Sequence, residues 1–285
     1  MYLAKISLSK ALKLLNKLSL SANVYLASDI HLGPSIPQTN QAFYEFLKHA
    51  AKQADSLILV GDIFHYWIGD DIAIQHPEPW LLEAIAHLQA FSKQKPLYLV
   101  HGNRDFLMGH NFARHIGATL LADQTLLEVD GQRIYLGHGD ELCTDDKAFM
   151  MFRHWTRKAW LQKLFFKLPM TWRISIANKA RKQSKNKQAA TTYDHSKGQV
   201  ADSAVKAIFK HYPKLNGIIH GHTHQPKTHQ VNINNKSYWR LVLPDWELDH
   251  TQPRSGFAIL NKNGPQLFTQ WDPNKTNDFD KLCDL

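Results

Sequence analysis

Short apolar segments recur along the chain, and five of them stand directly before a polar motif. These segments are Val24–Ala27, Leu57–Val60, Leu97–Val100, Ile134–Leu136 and Ile218–Ile219. Short runs of β-branched and large apolar residues are typical of buried strands. The pattern predicts an α/β fold in which each of these strands leads into a polar loop.

The part of the chain after Pro226 contains closely spaced short strands separated by turn-forming residues. The apolar segments are Val231–Ile233, Tyr238–Leu243 and Gly256–Leu260, and the turns are Asn234–Lys236 and Asn261–Gly264. Asparagine and glycine clusters between apolar runs favour turns. We expect these strands to complete a second sheet.

Residues 147–197 interrupt the series between the fourth and fifth motifs, and their pattern is helical. Apolar residues recur there at three- and four-residue spacing, as on one face of an amphipathic helix. They are Phe149, Phe152, Trp155, Ala159, Leu161, Leu164, Phe165 and Leu168 before Pro169, and Trp172, Ile174, Ile176 and Ala177 after it. The spacing predicts an inserted cap of two helical stretches.

Residues 1–20 are also predicted to form an amphipathic helix. Its apolar face would carry Leu8, Ala11, Leu12, Leu15 and Leu18, and another face would carry Lys10, Lys13 and Lys17. We therefore expect an N-terminal extension over residues 1–22, a single domain over residues 23–271 with the cap at about 147–197, and a polar tail over residues 272–285. A chain of 285 residues can bury one substantial core of this kind.

Features that bear on location point to the cytoplasm. Lysines interrupt every candidate apolar core near the N-terminus, so we expect no signal peptide. No segment has the roughly 18 apolar residues that a membrane span needs. The two cysteines, Cys143 and Cys283, form no disulfide scaffold, which fits a reducing compartment. Peripheral attachment to an anionic membrane surface is the most that this pattern supports.

The formal net charge of +9 is unevenly distributed. Residues 147–197 contain 13 Lys or Arg and one acid, Asp194, and residues 1–20 contain four Lys and no acid, so these segments carry +12 and +4 and the remainder carries −7. Aromatic residues and leucines beside basic residues fit a lid that meets acyl chains and anionic headgroups. The same apolar residues could instead pack the cap against the body. A nucleic-acid site is disfavoured, because a nuclease would not need so many apolar residues in this segment.

Each of the five polar motifs contains residues that can bind metal ions. The motifs are Asp29-Ile30-His31, Gly61-Asp62, Gly102-Asn103-Arg104-Asp105, Gly137-His138-Gly139-Asp140 and Gly221-His222-Thr223-His224. In open α/β architectures the ligand site lies at the carboxyl ends of the strands. A single motif of this kind is weak evidence, but five in order, each after an apolar run, predict a metal centre.

The candidate ligands supply oxygen and imidazole donors and no thiolate. They are Asp29, His31, Asp62, Asn103, His138, His222 and His224. Such a set suits Mn, Fe or Zn, and seven ligands suit two ions better than one. A natural division gives Asp29, His31 and His224 to the first ion. The second would take Asn103, His138 and His222, with Asp62 as the bridge, and two such ions can lower the pKa of water to about 7.

In this order, the motifs resemble those of the calcineurin-like metallophosphoesterase superfamily from Asp29 to His224. That resemblance implies a four-layer α/β/β/α sandwich with a dinuclear metal site at the strand ends.

A narrower resemblance, to the UDP-2,3-diacylglucosamine hydrolase family, rests on five runs. They are Gly61–Phe64, Trp67–Asp71, His101–Leu107, His138–Asp146 and His220–Pro226. Its most specific part is Leu142–Asp146, which the general superfamily pattern lacks. The resemblance implies hydrolysis of the pyrophosphate of a UDP-linked diacylated glucosamine in lipid A synthesis, with two Mn²⁺ per chain, at the cytoplasmic face of the inner membrane.

Arg104 occupies the position where many superfamily members have a histidine that can protonate a poor leaving group. Arginine stays protonated and cannot act as a general acid, but its planar fork can stabilise charge on a phosphate. A pyrophosphate needs no acid, because its leaving group is a stable phosphate anion. We expect Asp62, Asn103, Arg104 and His138 to be catalytic and diphosphates to be the substrates. The alternative for Arg104 is a surface arginine in a turn.

The resemblance also implies that the cap holds the acyl chains and supplies polar groups to the substrate. Ser184 matches the first of these groups and Lys187 is the candidate for the basic one, while a solvated basic helix is the alternative. Asp146 is expected on the uridine–sugar side. The further candidate substrate-binding residues are Asn103, Arg104 and His222.

Two positions depart from the family pattern. Pro244 stands where the family has the glycine of a Gly-Asp-Trp run, and proline removes a backbone donor near Asp245. His65 also departs from the pattern, and its sequence neighbourhood assigns it no role.

Two other functions compete with this interpretation. A general metallophosphoesterase acting on another nucleotide diphosphate or dinucleotide predicts a small polar cap, against which the aromatic insertion argues. A non-catalytic scaffold of the same fold, like the retromer subunit that lost its metal ligands, is disfavoured because all seven candidate ligands are present. We expect no nucleic-acid partner and no obligate protein partner.

Overall fold

The computed structural model describes residues 15–189, 198–250 and 252–272, without the side chains of residues 180–189. Its strands are β1 Asn16–Leu20, β2 Val24–Ala27, β3 Ser56–Val60, β4 Leu97–Val100, β5 Thr119–Leu120, β6 Gln124–Val129, β7 Gln132–Gly137, β8 Gly217–His220, β9 Lys227–Ile233, β10 Lys236–Val242, β11 Phe257–Asn261 and β12 Gly264–Phe268. Its α-helices are α1 Pro37–Gln53, α2 Asp70–Gln75, α3 Pro79–Ser92, α4 His110–His115, α5 Lys147–Thr156, α6 Ala159–Phe166, α7 Met170–Ala189 and α8 Asp202–His211.

Two six-stranded sheets form the centre of the fold. The strand order is β12-β11-β2-β3-β4-β5 in the first sheet and β1-β6-β7-β8-β10-β9 in the second. Strands β2, β3 and β4 pair in parallel, and so do β7 and β8. The carboxyl ends of these five strands carry the five polar motifs.

The sheets pack face to face, and helices cover their outer faces. Along β2, Val24 and Leu26 belong to the layer between the sheets, whereas Tyr25 lies in the core beneath the helices, because successive side chains of a strand point to opposite faces. Phe46 of α1 packs on the outer face of the first sheet, and Phe209 of α8 packs on the second. The predicted four-layer α/β/β/α sandwich is confirmed.

The five strands predicted before the motifs are present, with ends that shift by no more than two residues. The β9–β10 hairpin turns at Asn234 and Asn235, whose φ angles of 49° and 61° are the positive values that a tight hairpin turn requires. Strands β5, β6 and β12 were not predicted, and β11 pairs with β2 in the first sheet, whereas the prediction placed it in the second. In β6 the buried apolar residues alternate with polar ones such as Glu128, so no apolar run marks the strand.

The predicted N-terminal helix is wrong for residues 16–20, and residues 1–14 lie outside the described part. Residues 16–20 form β1, which pairs in parallel with β6 at the edge of the second sheet. Leu18 and Leu20 pack against the core between the sheets. In a segment this short, leucines two residues apart fit a strand as well as a helix, and the unpaired edge of β6 decides between them.

The cap consists of three helices, α5 to α7, rather than the predicted two stretches. The helix breaks at Arg157 and Lys158, where the Lys158 backbone is extended. Neither α5 nor α6 contains a buried residue. The apolar residues of α5 and α6 therefore form no buried core with the body, although the ring of Phe149 stacks on that of His222 with 6.3 Å between the ring centres. Among the helices of the described ranges, none is both long and apolar enough to cross a bilayer.

Arginines attach the cap to the body. Arg153 Nε donates to Asp140 Oδ2 at 2.7 Å, and Arg157 Nη1 donates to Asp123 Oδ2 at 2.8 Å. On α7, the buried Arg173 donates to Asp71 at 2.9 Å and to the carbonyl oxygen of Ile68 at 3.1 Å. These contacts between the cap and the body are polar and directional.

Leu241 of β10 offers a test of the layer between the sheets, because its side chain is fully buried there. Leu241→Ala should lower the free energy of unfolding by about 2–5 kcal/mol, as the substitution leaves a cavity. Leu82→Ala, at a position 53% exposed on α3, is the matched control and should change it by less than about 0.5 kcal/mol. Urea denaturation measures both, and equal effects would contradict this packing.

Candidate metal centre

The predicted ligands meet where the carboxyl ends of strands from both sheets come together. Asp29 and His31 follow β2, Asp62 follows β3, Asn103 follows β4, His138 follows β7, and His222 and His224 follow β8. Backbone hydrogen bonds join the first two loops, from Asp29 N to Gly61 O at 3.1 Å and from His31 N to Asp62 O at 3.0 Å.

Five of these residues adopt the left-handed backbone region that side chains other than glycine usually avoid. Their φ angles are 55° at Asp29, 57° at His31, 50° at Asp62, 69° at His222 and 53° at His224. Each such position costs of order 1–3 kcal/mol and persists only where the surroundings enforce it. Strain concentrated in one cluster is typical of a functional site.

Asp29 is fixed from both sheets. Its Oδ2 accepts hydrogen bonds from His222 N at 2.9 Å and from Ser28 Oγ at 2.6 Å, and its Oδ1 lies 3.2 Å from His224 Nε2. A Cβ atom on Gly221 would collide with Ser28 Oγ and with Asp29 Oδ2. Only glycine lets the loop after β8 approach the carboxylate this closely.

Asp62 lies between the two predicted groups of ligands. Its Oδ1 accepts from Arg104 N at 2.8 Å and is 3.6 Å from His138 Nε2. Its Oδ2 is 3.9 Å from His31 Nδ1. One carboxylate therefore faces an imidazole of each group, which is the arrangement that a bridging ligand needs.

His138, Asn103 and His222 are neighbours. His138 is fully buried, and its Nδ1 donates to the carbonyl oxygen of Val60 at 2.9 Å, so Nε2 is the nitrogen that faces the other candidate ligands. That Nε2 lies 3.2 Å from Asn103 Oδ1. The ring of His222 is centred 5.2 Å from the ring of His138.

Two sets of side chains in the described part of the chain have ligand atoms within 4.8 Å of one another. The first set, Asp29, His31 and His224, is the group predicted for the first ion. The second is Asp29, Asp62 and His138. Asp29 thus belongs to both sets, so both carboxylates lie at the centre, where the prediction placed only Asp62.

The state of His31 shows that these residues fit a metal ion. Both of its ring nitrogens are buried, and neither has a hydrogen-bond partner. Burial lowers the pKa of His31 well below its ordinary value, and the positive charge of Arg104 lowers it further. A neutral imidazole with an unshared lone pair in a buried site is a metal ligand by its chemistry.

The carboxylates show the same need for positive charge. Burial raises the pKa of Asp62 to about 7, and the charges of Asp105 and Asp29 act in the same direction. Burial also acts to raise the pKa of Asp29, but His138 and His224 outweigh it and hold the pKa well below its usual range. Burial lowers the pKa of His138, yet Asp62 and Asp29 raise it to about 9. Divalent cations would satisfy this cluster.

Arg104 faces the cluster and is not a remote surface residue. Its side chain is 39% exposed, and its Nε lies 3.3 Å from Asp62 Oδ2. Its Nη1 lies 3.5 Å from Nδ1 of His65. His65, to which the sequence assigned no role, is therefore a neighbour of the arginine.

The other predicted substrate residues lie at the cap. Asp146 is buried and caps the N-terminus of α5, where its Oδ1 accepts from Phe149 N at 2.9 Å. This local role is additional to the predicted substrate contact, which stays a prediction. Ser184 and Lys187 lie on α7, and their side chains lie outside the described part.

Asp105 supports the site, although sequence reasoning assigned it no role. Its Oδ1 accepts from Gly102 N and its Oδ2 from Ile63 N, both at 2.7 Å, so it ties together the loops after β3 and β4. Its place in the third motif, beside two candidate site residues, was the signal that could have indicated it.

Asp245 also supports a ligand. Its Oδ2 lies 3.3 Å from His224 Nδ1 and accepts from Arg254 Nη2 at 2.9 Å. Pro244 does not disturb the segment, because Trp246 N still donates to the carbonyl oxygen of Asp29 at 3.1 Å. A carboxylate on the far nitrogen of a histidine orients the ring toward the site.

Comparisons with known proteins identify the family of this chain. The profile of the calcineurin-like phosphoesterase family matches residues 22–226. Among solved structures, wild-type Vps29 of Entamoeba histolytica complexed with Zn²⁺ covers 87% of this chain and 92% of its own, with 14% identity and a TM-score of 0.41. That distant likeness carries no conclusion about function.

Closer relatives are named UDP-2,3-diacylglucosamine hydrolase. The Bordetella parapertussis protein is 40% identical over 255 residues, which are 89% of this chain and 97% of that one. Those of Ralstonia nicotianae and Escherichia coli O81 are 41% and 40% identical, and the matches cover 84% and 81% of this chain and 90% and 92% of theirs. Because these matches span nearly the whole length of each relative, the chain belongs to the calcineurin-like phosphoesterases and, within them, to the UDP-2,3-diacylglucosamine hydrolase family.

Proposed function

We propose that the protein hydrolyses the pyrophosphate bond of UDP-2,3-diacylglucosamine to UMP and 2,3-diacylglucosamine 1-phosphate, a step of lipid A biosynthesis. The observation that carries this proposal is the buried cluster around Asp29 and Asp62, with the unpartnered imidazole of His31 and the guanidinium of Arg104 beside it. The names of the relatives point to the substrate.

The cluster fits divalent metal ions, and the mixed oxygen and imidazole donors suit Mn²⁺, of which we propose two per chain. Asp29, His31 and His224 would hold one ion. Asn103, His138 and His222 would hold the other, with Asp62 between them. When bound, such a pair acts as a Lewis acid on a phosphoryl group and lowers the pKa of water to about 7.

Arg104 is proposed to stabilise the negative charge of the phosphate. Asp62 Oδ2, 3.3 Å from Arg104 Nε, orients the guanidinium, and the half-exposed fork is open to a ligand. Arginine offers donors and no proton for transfer, and this suits a phosphate leaving group, which needs none. The pairing favours diphosphates over phosphomonoesters.

The apolar part of the substrate is assigned to the cap. Ten of the eleven large hydrophobic side chains exposed in the described ranges lie between Met151 and Ile176. A concentration of this kind marks a binding surface for apolar ligands or membranes. The segment that contains the cap, residues 147–197, also carries a net charge of +12. It would therefore hold the acyl chains and rest on the anionic cytoplasmic face of the inner membrane.

The central test is product analysis. Purified protein with UDP-2,3-diacylglucosamine and Mn²⁺ should release UMP and the lipid 1-phosphate, which phosphorus NMR identifies. EDTA should stop the reaction, because the residues alone supply no nucleophile. Asp62→Ala, the inactive control, should lose turnover and keep the circular dichroism of the wild type. Faster hydrolysis of dinucleotides than of the lipid substrate would favour the general metallophosphoesterase instead.

Arg104→Ala should lower kcat by roughly 10²–10³-fold, which is the loss of about 2.7–4 kcal/mol expected for one preorganised donor. Arg104→Lys should recover only part of the rate, since a point charge does not replace the planar fork. Steady-state kinetics measures both variants. Arg114→Gln on α4, an exposed arginine, is the control for lost charge and should behave as wild type. A wild-type kcat for Arg104→Ala would remove Arg104 from the reaction.

The membrane assignment predicts a loss of vesicle binding when exposed tryptophans of the cap are replaced. Trp160 and Trp172 are 58% and 63% exposed. Since burial of a large apolar side chain contributes about 1.5–3 kcal/mol, the double change to Gln should weaken cosedimentation with phosphatidylglycerol vesicles by about tenfold or more. Leu82→Gln on α3 is the matched control. Unchanged sedimentation of the double variant would contradict the assignment.

A further inference from the structure

One side chain of the cap holds the loop that carries Asn103 and Arg104. Arg157 follows the last residue of α5, and its Nη2 donates to the carbonyl oxygen of Gly102 at 2.8 Å. Its guanidinium also lies over the ring of Phe106, 5.1 Å from the ring centre. The two contacts flank Asn103 and Arg104 on both sides.

Arg157 is held in turn by carboxylates of the body. Its Nη1 donates to Asp123 Oδ2 at 2.8 Å, and Arg153 Nη2 donates to the same oxygen at 3.3 Å. Arg153 Nε also donates to Asp140 Oδ2 at 2.7 Å, two residues beyond His138. The two arginines thus connect α5 to the loops that follow β4 and β7.

Asp123 closes the same loop at its base. Its Oδ1 lies 3.0 Å from His101 Nδ1, and the other nitrogen of His101 lies 2.6 Å from the carbonyl oxygen of Met108. Burial acts to raise the pKa of Asp123, but His101 and Arg157 outweigh it and lower the pKa to about 2. Asp123 is therefore an anion that holds the ends of the loop and the arginine together.

Through these contacts, the position of α5 determines the position of the Gly102 carbonyl. The side chain of Arg157 is 14% exposed, and charge-assisted hydrogen bonds in such surroundings are short and directional. Neither α5 nor α6 has a buried apolar residue, and the contacts of Arg153 and Arg157 join α5 directly to the body. A shift of α5 would therefore move the Gly102 carbonyl and, with it, Asn103.

We propose that Arg157 is a positioning residue, which sets the Asn103–Arg104 segment against the metal-binding side chains through Gly102 and Phe106. The position of Asn103 and Arg104 at the site then depends on the docking of the cap. This inference rests on the proposed function, in which Asn103 and Arg104 act on the diphosphate. Arg157 itself touches neither a candidate ligand nor the guanidinium of Arg104 in the described contacts.

Arg157→Gln tests the inference with the full-length protein, Mn²⁺ and UDP-2,3-diacylglucosamine. We expect kcat to fall about 10- to 100-fold, because small misplacements of reacting groups have effects of this size. KM should stay within about threefold of the wild type, since the lost interaction is not with the substrate. Arg157→Lys keeps the charge but not the planar guanidinium, so its kcat should lie between those of the wild type and Arg157→Gln. Arg114→Gln is the control for the loss of one surface charge.

The outcomes separate positioning from attachment. If Arg157 only attached the cap, the Gln variant would raise KM or lower the melting temperature at unchanged kcat, and either result would overturn the inference. If the Gln variant does not fold, the Lys variant decides by the same comparison. A wild-type protein that releases no UMP would refute the proposed function itself. An active wild type with an equally active Gln variant would refute the positioning role alone.

Discussion

Asp29 and Asp62 are buried side by side where the carboxyl ends of strands from the two sheets meet, and buried charges without partners cost several kcal/mol each. The loops around them supply groups that stabilise the two carboxylates. The backbone amides of His222 and Arg104 donate to the two carboxylates, and imidazoles from three loops surround them. Reaching these positions forces several residues into left-handed backbone conformations. The metal-binding chemistry and the strained loops therefore have one electrostatic cause.

The cap is attached to the body while its tryptophans stay exposed. An apolar core between cap and body would have hidden the aromatic residues, whereas arginine–carboxylate contacts leave Trp155, Trp160 and Trp172 exposed. The cost of desolvating these largely buried ion pairs offsets much of their attraction, but their geometry is specific. The cap is thus oriented by charge, and its apolar surface remains free for a ligand with acyl chains.

The sequence predicted the parts of the fold that local pattern determines. Apolar runs followed by polar motifs located β2, β3, β4, β7 and β8 and, with them, all the candidate ligands. The strand at residues 16–20 could not be predicted, because the edge of β6 that it pairs with is a tertiary feature. The roles of Asp245 and Arg157 were not predictable either, since their partners His224 and Gly102 are distant in sequence. Residue type indicates which side chains can do chemistry, but only the fold shows what orients them.

The distribution of charge assigns two tasks to two parts of the chain. The segment that contains the cap carries +12, and the chain outside residues 1–20 and 147–197 carries −7. The negative charge of the body attracts cations in general, and the cluster around the buried carboxylates provides the ligands that can bind them. In the proposed function, the positive cap attracts the diphosphate and an anionic bilayer, and its exposed aromatic residues contact the lipid. Arg153 and Arg157 lie where these regions join, and Arg157, one of the side chains that dock the cap, also reaches the loop of Asn103. A substrate that is both a diphosphate and a lipid needs such a junction, because its two halves must be bound in fixed relation to each other.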